Sequence, residues 1–369
     1  MEKKAEHLLH IALACGGTGG HIFPGLATAE VLHARGHKVT LWLAGKDIEA
    51  KAVEHTPWKK ITIPAKGWEG GWRQAHLFAW NFYMAGKRAK GPMREEKPDV
   101  VLAMGSYAGM GPVQVALQTG VPVVLHEANS IPGRMVSFFA RKASRVGATF
   151  EMTRHELKGK ARLHLTGMPL RADLSAAAAK SSLQRDPDQP FYILCTGGSR
   201  GASALNLIAR RALRDLYMRE KNIFVIHLTG EKDEASVRTC YENAGVPHYV
   251  AAFENDMRPW YEKADIAISR AGASTCAELS AFGIPALLVP YPFAAKNHQH
   301  TNASEFFRIK AADLIAEEDL EVEWLTDYVE GCIYTPERLE RMRTAMRGWA
   351  KINAADRLAD LVEEAVRNG

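Results

Sequence analysis

The stretch CGGTGGHIFP (residues 15–24) is a glycine-rich turn between a short apolar run and a helical pattern. A similar turn, CTGGSRGAS (residues 195–203), has the same place in the second half of the chain. A glycine turn that opens a helix brings backbone N–H groups and the positive end of the helix dipole together, which suits an anion such as a diphosphate. Alternatively, the glycines only permit tight packing of the strand against the helix. Each half therefore predicts a domain that begins with a strand, a glycine loop and a helix.

Short apolar runs alternate with helical patterns outward from these two turns, which predicts parallel sheets covered by helices on both faces. In the first half we predict strands over residues 10–15, 38–43, 61–63, 100–104, 121–125 and 146–148. In the second half we predict strands over residues 192–196, 223–228, 249–252, 266–269 and 286–289. The fold class is therefore α/β, with two doubly wound, Rossmann-like domains that we expect to face each other across a cleft.

Domain boundaries follow from a polar segment rich in small residues, 173–190, which has the composition of a linker. We expect an N-terminal domain over 1–165, a linker over 166–190, a C-terminal domain over 191–345 and a helical tail over 346–369. The tail is expected to pack across the domain junction or to cap the second domain.

Composition excludes several classes of protein. The 369 residues carry a formal net charge of only +5, well short of the clustered basicity of a nucleic-acid binder. Five widely spaced cysteines without a CxxC pair indicate reduced thiols in a cytosolic protein and no zinc site. The longest uncharged stretch, 100–125, is interrupted by glycines and prolines, so we read it as strand, loop, helix and strand instead of a membrane span. Asp186-Pro187-Asp188 is read as a solvated turn and not as a metal site.

His21 directly follows the five residues of the first glycine turn. A histidine at this end of an open α/β sheet points toward the usual ligand position, where it can accept a proton from a hydroxyl or hold a substrate. Alternatively, it stabilises the turn through a hydrogen bond. The dinucleotide fingerprint GxGxxG, the acidic residue after the second strand and the Walker pattern are all absent, so a nicotinamide-binding module ranks last.

The stretch SRAGASTCAELSAFGIPALLVPYPFAAKNHQHTNA (residues 269–303) is the most informative in the chain. A strand ends at Ser269, a loop of small residues opens a helix near Ala273, and Glu278 lies about one turn deeper. Backbone N–H groups at this helix start can bind a phosphate, and the carboxylate can accept hydrogen bonds from two ribose hydroxyls. Alternatively, Glu278 belongs to an exposed helix face. The pattern favours a nucleoside diphosphate laid over the start of a helix.

Several motifs together resemble the MurG family of UDP-N-acetylglucosamine transferases, which complete lipid II in peptidoglycan synthesis. They are GGTGGHIFPGLATAEVL, HEANSIPG, GMPLR, GGSRGAS and SRAGASTCAELSAFGIPALLVP…NHQHTNA, in that order over almost the whole chain. The resemblance implies a GT-B fold, a donor bound mainly by the C-terminal domain, and an inverting reaction that needs neither metal nor cofactor. N-acetylglucosamine would pass from UDP-N-acetylglucosamine to the 4-hydroxyl of N-acetylmuramic acid in lipid I. A GT-B enzyme that glycosylates another lipid or small molecule is the alternative.

The resemblance also implies particular site residues. On the acceptor side we expect His21 as the base and Glu127 to orient it or the substrate. The substrate-binding set is Thr18, Gly19, Gly20, Asn129, Arg171, Ser199, Glu254 (through its main chain, at the uracil), Ala273, Ser274, Thr275, Cys276, Ala277, Glu278 and Gln299. Three positions depart from the family pattern: Ala128, Met168 and Ser106 stand where the family commonly has Gln, Asn and Gly.

The segment 67–97 groups aromatic residues, including Trp68, Trp72 and Trp80, ahead of Lys87, Arg88, Lys90 and Arg94. Aromatic side chains flanked by cations are typical of a helix that lies on an anionic membrane surface. Alternatively, this is an ordinary helix that packs its apolar side on the sheet, and both can hold for different faces. The formal charge is +10 over residues 1–165 and −5 over 166–369. We therefore expect peripheral contact of the basic half with the cytoplasmic face of the bacterial inner membrane.

Overall fold

The computed structural model describes residues 8–65, 75–159, 161–181, 188–198 and 201–367. They divide into two compact units. The first unit contains the described residues up to Ala172 together with those from Asn353 onward, and the second runs from Asp173 to Ile352.

The described part of the first unit holds a seven-stranded parallel sheet. Its strands are β1 (His10–Ala14), β2 (Lys38–Leu43), β3 (Lys59–Thr62), β4 (Val100–Ala103), β5 (Val123–Glu127), β6 (Arg145–Ala148) and β7 (Leu163–Leu165). The strand order is β3-β2-β1-β4-β5-β6-β7. The helices before the second unit are α1 (Gly19–Ala34), α2 (Asp47–Val53), α3 (Ala75–Glu96), α4 (Met110–Thr119), α5 (Arg134–Phe139) and α6 (Met152–Glu156).

Strand β1 shows why helices cover both faces of this sheet. Successive side chains of a strand point to opposite faces. Ile11 and Leu13 accordingly join an apolar cluster that includes Leu32 of α1, whereas Ala12 and Ala14 join a second cluster that includes Val113 of α4. A strand that is buried on both sides needs an unbroken apolar run, which is the pattern that predicted it.

The second unit contains a six-stranded parallel sheet among its described residues, in the order β10-β9-β8-β11-β12-β13. Its strands are β8 (Phe191–Thr196), β9 (Ile223–Leu228), β10 (His248–Ala251), β11 (Ile266–Ser269), β12 (Ala286–Leu288) and β13 (Ala312–Leu314). The following helices are α7 (Ala172–Lys180), α8 (Ser203–Met218), α9 (Glu234–Ala244), α10 (Arg258–Lys263), α11 (Ala273–Phe282), α12 (His298–Arg308), α13 (Val322–Tyr334) and α14 (Pro336–Trp349). The Rossmann-like doubly wound architecture predicted for each half is confirmed.

The C-terminal tail is divided between the two units. α14 belongs to the second unit, whereas the last helix, α15 (Ala354–Arg367), belongs to the first. Leu358 and Val362 of α15 lie in the same apolar cluster as Ile11 and Leu13. Arg35, the C-cap of α1, also donates hydrogen bonds to Asp360 and Glu363 of α15, at 2.7 and 2.9 Å. The tail therefore does not cap the second unit alone, because the apolar face of α15 completes the core of the first.

Two strands and one helix escaped the sequence interpretation. β7 and β13 have three residues each and are only partly buried, so neither carries a distinctive apolar run. The segment read as a linker begins with α7, an alanine-rich helix, and residues 182–187 lie outside the described part. Alanine has the highest helix propensity, so a run of four alanines favours a helix over an extended linker.

Residues 100–125 form β4, a 3-10 turn, α4 and β5, as predicted. No described helix has both the length and the apolar character needed to cross a bilayer.

Candidate active site

The first glycine loop joins β1 to α1 and presents His21 on the first turn of that helix. A hydrogen bond of 2.9 Å joins Thr18 Oγ1 and His21 Nδ1, and the backbone N–H of His21 donates to the carbonyl of Thr18. Thr18 is exposed and His21 is partly exposed. The hydrogen bond orients the imidazole as the turn-stabilising interpretation requires, while the exposure leaves the ring accessible to a substrate, as a base must be.

Glu49 of α2 is a buried carboxylate beneath this loop that the sequence interpretation missed. It is 1% exposed, and its Oε1 accepts a hydrogen bond of 2.7 Å from the backbone N–H of Gly17. The Gly17 amide is therefore already bound by a protein carboxylate, and the expected substrate-binding residues of this loop, Thr18, Gly19 and Gly20, follow it in the chain. The available signal was a Glu at the third position of a helix, the place of the acidic residue in a capping box.

The end of β5 and the loop after it carry Glu127 and Asn129, which are expected to act on the acceptor or the sugar. Glu127 is 3% exposed, and its two carboxylate oxygens accept from the backbone N–H groups of Asn129 (2.9 Å) and Gly133 (2.8 Å). These bonds shape the loop that carries Asn129, whose carbonyl accepts from Thr153 at 3.1 Å. The structure thus connects Glu127 with Asn129, and the roles assigned to them remain predictions.

His126 precedes Glu127 and is fully enclosed by the first unit. Its Nε2 lies 3.0 Å from the carbonyl oxygen of Gly167. Burial, with a smaller contribution from the charge of His21, lowers the pKa of His126 to about 4. The imidazole is therefore neutral at neutral pH and serves as a hydrogen-bonding support behind the site.

The second glycine loop, between β8 and α8, packs tightly on the strand beside it. Gly201 has φ +71°, and a Cβ there would lie 2.2 Å from the carbonyl oxygen of Thr229, so only glycine fits. That oxygen accepts a hydrogen bond of 2.8 Å from Asn206, whose Oδ1 lies 3.1 Å from His227 Nε2. This buried network, which the sequence did not reveal, fixes the base of the loop. Ser199 lies outside the described residues.

Helix α11 begins as the sequence predicted, with its first turn open to a ligand. Its N-cap is Gly272, which provides no side-chain cap, and this turn carries no acidic residue. Ser274 and Thr275 are partly exposed. The side chains of Ala273, Cys276 and Ala277 are buried, so these three can contribute only backbone and packing. Burial raises the pKa of the Cys276 thiol to about 12, which keeps it protonated.

Glu278 is oriented by a neighbouring helix. The hydroxyl of Tyr261, on α10, donates a hydrogen bond of 2.6 Å to Glu278 Oε2. Tyr261 is only 3% exposed, whereas Glu278 is partly exposed. A buried phenol thus holds one oxygen of a carboxylate that remains accessible, which is a suitable arrangement for binding a diol.

Two further predicted residues, Glu254 and Gln299, belong to the second unit. Glu254 accepts from the Tyr249 hydroxyl (2.6 Å) and from the backbone N–H of Asp256 (2.9 Å), and these bonds lower the pKa of Glu254. Its side chain therefore shapes the loop, which agrees with an expected main-chain role. Gln299, at the start of α12, accepts from the backbone N–H of Tyr291 at 2.9 Å.

Arg270 holds the loop that Gln299 contacts, and its role was also missed. This 6% exposed guanidinium donates to the carbonyls of Val289 (3.1 Å) and Pro290 (3.2 Å) and pairs with Glu317. It stabilises the chain between β12 and α12, because a buried cation needs such partners. The positive charge of Arg270 is therefore used within the protein.

Comparisons with known proteins identify the family. Residues 11–148 match the glycosyltransferase family 28 N-terminal domain, and residues 192–362 match the glycosyltransferase family 28 C-terminal domain. A Geobacter metallireducens protein named "UDP-N-acetylglucosamine--N-acetylmuramyl-(pentapeptide) pyrophosphoryl-undecaprenol N-acetylglucosamine transferase" is 34% identical over 355 residues, covering 95% of this chain and 97% of that protein. A Cupriavidus metallidurans protein of the same name is 36% identical, with 96% and 97% covered. The crystal structure of Acinetobacter baumannii MurG superposes with a TM-score of 0.80 at 26% identity, over 96% of this chain and 99% of that one. The chain belongs to the MurG family.

Membership of the MurG family confirms the GT-B fold and the resemblance drawn from the motifs. The predicted residues fall into two groups. The first unit contains Thr18, Gly19, Gly20, His21, Glu127, Asn129 and Arg171; the second contains Glu254, the run from Ala273 to Glu278, and Gln299. Arg171 is partly exposed and precedes the start of α7 by one residue.

The three departures from the MurG pattern lie at buried positions. Ala128 and Met168 are 5% and 3% exposed, so the first unit encloses both side chains. Ser106 caps the 3-10 turn Tyr107–Gly109, because its hydroxyl accepts from the backbone N–H of Ala108 at 3.2 Å. Among the residues that the structure describes, no group of three or more His, Cys, Asp or Glu side chains could hold a metal ion; Asp186 and Pro187 lie outside that part.

Proposed function

We propose that this protein transfers N-acetylglucosamine from UDP-N-acetylglucosamine to the 4-hydroxyl of N-acetylmuramic acid in lipid I, forming lipid II in peptidoglycan synthesis. The observation that carries the proposal is the nearly full-length similarity to transferases of that name. We also propose that the reaction is inverting and independent of metal and cofactor, with the donor on the second unit and the acceptor base on the first.

The donor half of the mechanism follows from the start of α11. Its uncapped N–H groups and its dipole stabilise the negative charge that develops on the departing diphosphate. Glu278, held by Tyr261, accepts hydrogen bonds from the ribose hydroxyls, and Gln299 contacts the sugar. Arg171 adds a cation for the diphosphate, and Ser199 a hydroxyl for the α-phosphate.

The acceptor half relies on His21. In an inverting transfer, the acceptor hydroxyl attacks the anomeric carbon from the face opposite the departing UDP. His21, oriented by Thr18, removes the hydroxyl proton. Glu127 holds the loop of Asn129, which contacts the acceptor or the sugar. The bond from the anomeric carbon to the UDP oxygen breaks as the new glycosidic bond forms.

Purified protein should release UDP from UDP-N-acetylglucosamine in the presence of a lipid I analogue, with an equal rate when EDTA is added. Charge stabilisation by helix N-termini and Arg171 needs no divalent cation. The assay couples UDP release to a spectrophotometric readout. An analogue blocked at the 4-hydroxyl serves as the control and should give no turnover. Turnover with a diacylglycerol but not with the lipid I analogue would favour the alternative, a transferase with another lipid acceptor.

Membrane contact is proposed for an aromatic patch on α3 and α5, at the cytoplasmic face of the bacterial inner membrane. The patch consists of Trp80, Phe82, Tyr83 and Phe138. Trp80, Tyr83 and Phe138 are 61%, 57% and 61% exposed. The rings of Phe82 and Phe138 lie 5.7 Å apart, so α5 extends a patch that the sequence placed in 67–97 alone. Of that segment, residues 67–74 lie outside the described part.

The opposite side of α3 packs in the core, where Ala85, Ala89 and Met93 are buried. The core-packing interpretation therefore holds for this face, and the proposed membrane contact concerns the exposed face with Trp80 and Tyr83. Exposed Lys87, Arg88 and Lys90 follow the aromatic residues along α3. Such cations favour anionic lipids over neutral ones.

The double variant Trp80→Ala/Phe138→Ala should lose about tenfold in affinity for phosphatidylglycerol vesicles, because two exposed rings no longer enter the interface. Vesicle co-sedimentation measures this change. Trp324→Ala, at an aromatic residue of α13 in the second unit that is 41% exposed, is the matched control and should bind as the unmodified protein does. Equal binding of the double variant would exclude this patch as the membrane contact.

A further inference from the structure

The carboxylate of Glu49 joins two loops that follow neighbouring strands. Its Oε1 accepts from the backbone N–H of Gly17 at 2.7 Å, in the loop after β1. Its Oε2 accepts from the backbone N–H groups of Gly45 at 2.7 Å and Lys46 at 3.1 Å, in the loop after β2. β1 and β2 are adjacent and parallel, so both loops lie at the same edge of the sheet. One side chain thus holds the connection that leads into the Thr18–His21 pair.

The fit around this carboxylate is tight. A Cβ on Gly16 would lie 2.5 Å from Glu49 Oε1, and one on Gly17 would lie 3.0 Å from the ring of Tyr107. Gly17 also has φ +89°, which side-chain-bearing residues rarely adopt. A buried carboxylate is costly unless hydrogen bonds compensate its lost hydration. The glycines of the loop and the acid below it therefore depend on each other.

We propose that Glu49 is a positioning residue for glycosyl transfer, which sets the conformation of the first glycine loop so that Thr18 and His21 meet the acceptor. The inference rests on the proposed function. Its basis is that the three partners of Glu49 are all N–H donors, with two of them in the turn between β2 and α2 and one immediately before Thr18. A shift of the Gly17 amide moves Thr18, the N-cap of α1, and with it the imidazole of His21.

Replacing Glu49 with glutamine distinguishes a side chain that must accept hydrogen bonds from one that only fills space. Glutamine has the same shape as glutamate, but its NH₂ group would face an N–H donor at one of the two loops. A side chain that only filled space would therefore tolerate Glu49→Gln, whereas the proposed role does not. Asp47 lies two residues away on the same helix and is exposed, so Asp47→Asn is a matched control for the change of charge.

Steady-state kinetics of Glu49→Gln should show kcat reduced by about tenfold or more, as expected when a catalytic group is misplaced. The KM for UDP-N-acetylglucosamine and the affinity for UDP should stay unchanged, because most of the proposed donor residues belong to the second unit. Asp47→Asn should behave as the unmodified protein. An unchanged kcat in Glu49→Gln would overturn the proposal, and so would parallel losses of UDP affinity and thermal stability, which would indicate a general structural defect.

Gly16→Ala tests the same contact from the other side, because the added Cβ must displace Glu49 Oε1. It should reduce kcat to a similar extent, and the double variant Gly16→Ala/Glu49→Gln should be little worse than either single one. If the fold reduction in kcat of the double variant equalled the product of the two single reductions, the two residues would act separately, which would contradict the inference.

Hydrogen exchange separates this inference from the proposed function. Peptides that cover Gly17 and Gly45 should exchange at least about tenfold faster in Glu49→Gln than in the unmodified protein, even if no transfer to lipid I is detected. If the unmodified protein transferred no N-acetylglucosamine to lipid I, the proposed function would be refuted. Unchanged exchange in both peptides would refute the role of Glu49.

Discussion

Replacing Glu278 with alanine should weaken UDP binding by about ten- to a hundredfold, the largest loss that we expect from one donor-site substitution. Hydrogen bonds to a charged group contribute about 1.5–3 kcal/mol each, which corresponds to this range. The carboxylate has one oxygen held by Tyr261 at 2.6 Å, so its orientation is set before the nucleotide binds. Isothermal titration calorimetry with UDP measures the effect directly.

Two further variants control this experiment. Tyr261→Phe removes only the orienting hydroxyl and should weaken UDP binding by about two- to fivefold, in line with the loss of one uncharged donor. Glu262→Ala changes the exposed carboxylate next to Tyr261 and should leave the affinity unchanged. If Glu278→Ala bound UDP as tightly as the unmodified protein, Glu278 would be removed from the donor site.

His21→Ala should slow transfer by about a hundred- to ten-thousandfold, the usual contribution of a general base. UDP affinity should not change, because His21 belongs to the first unit and most of the proposed donor residues belong to the second. The measurements are single-turnover kinetics with a lipid I analogue and, separately, calorimetry with UDP.

His33→Ala provides the matched control, since this exposed histidine lies on the same helix about three turns further on. It should transfer at the normal rate. Thr18→Val should transfer at a rate between those of His21→Ala and His33→Ala, because the imidazole remains but loses the hydroxyl that orients it. A His21→Ala variant with a normal rate would assign the base to another group, with Glu127 the next candidate.

The strands illustrate how much could be predicted. Runs such as 223–228 and 266–269 became strands with the predicted limits, because a strand buried on both faces is mostly apolar. β7 and β13 were missed because a short edge strand has no such requirement. α15 was recognised as a helix but its position was not, since an amphipathic helix carries no sign of which sheet its apolar face will cover.

The sequence identified the site residues that lie in motifs, but not the residues that hold them in place. Glu278 and His21 stand out because they follow loops of small residues at the ends of strands. Glu49 supports the first glycine loop, Tyr261 orients Glu278, and Arg270 holds the chain between β12 and α12, all from positions without a distinctive pattern. Their importance depends on distances across the fold, which the order of residues does not contain.

Apolar periodicity and the positions of the glycines were enough to establish two doubly wound α/β domains, because burial imposes those patterns on the chain itself. The order of the motifs likewise sufficed for membership of the MurG family. Tertiary structure alone decided that a buried carboxylate occupies the amide of Gly17, that α15 completes the first unit, and that Phe138 joins the aromatic patch of α3. Each of these depends on contacts between segments far apart in sequence, where geometry selects the partners.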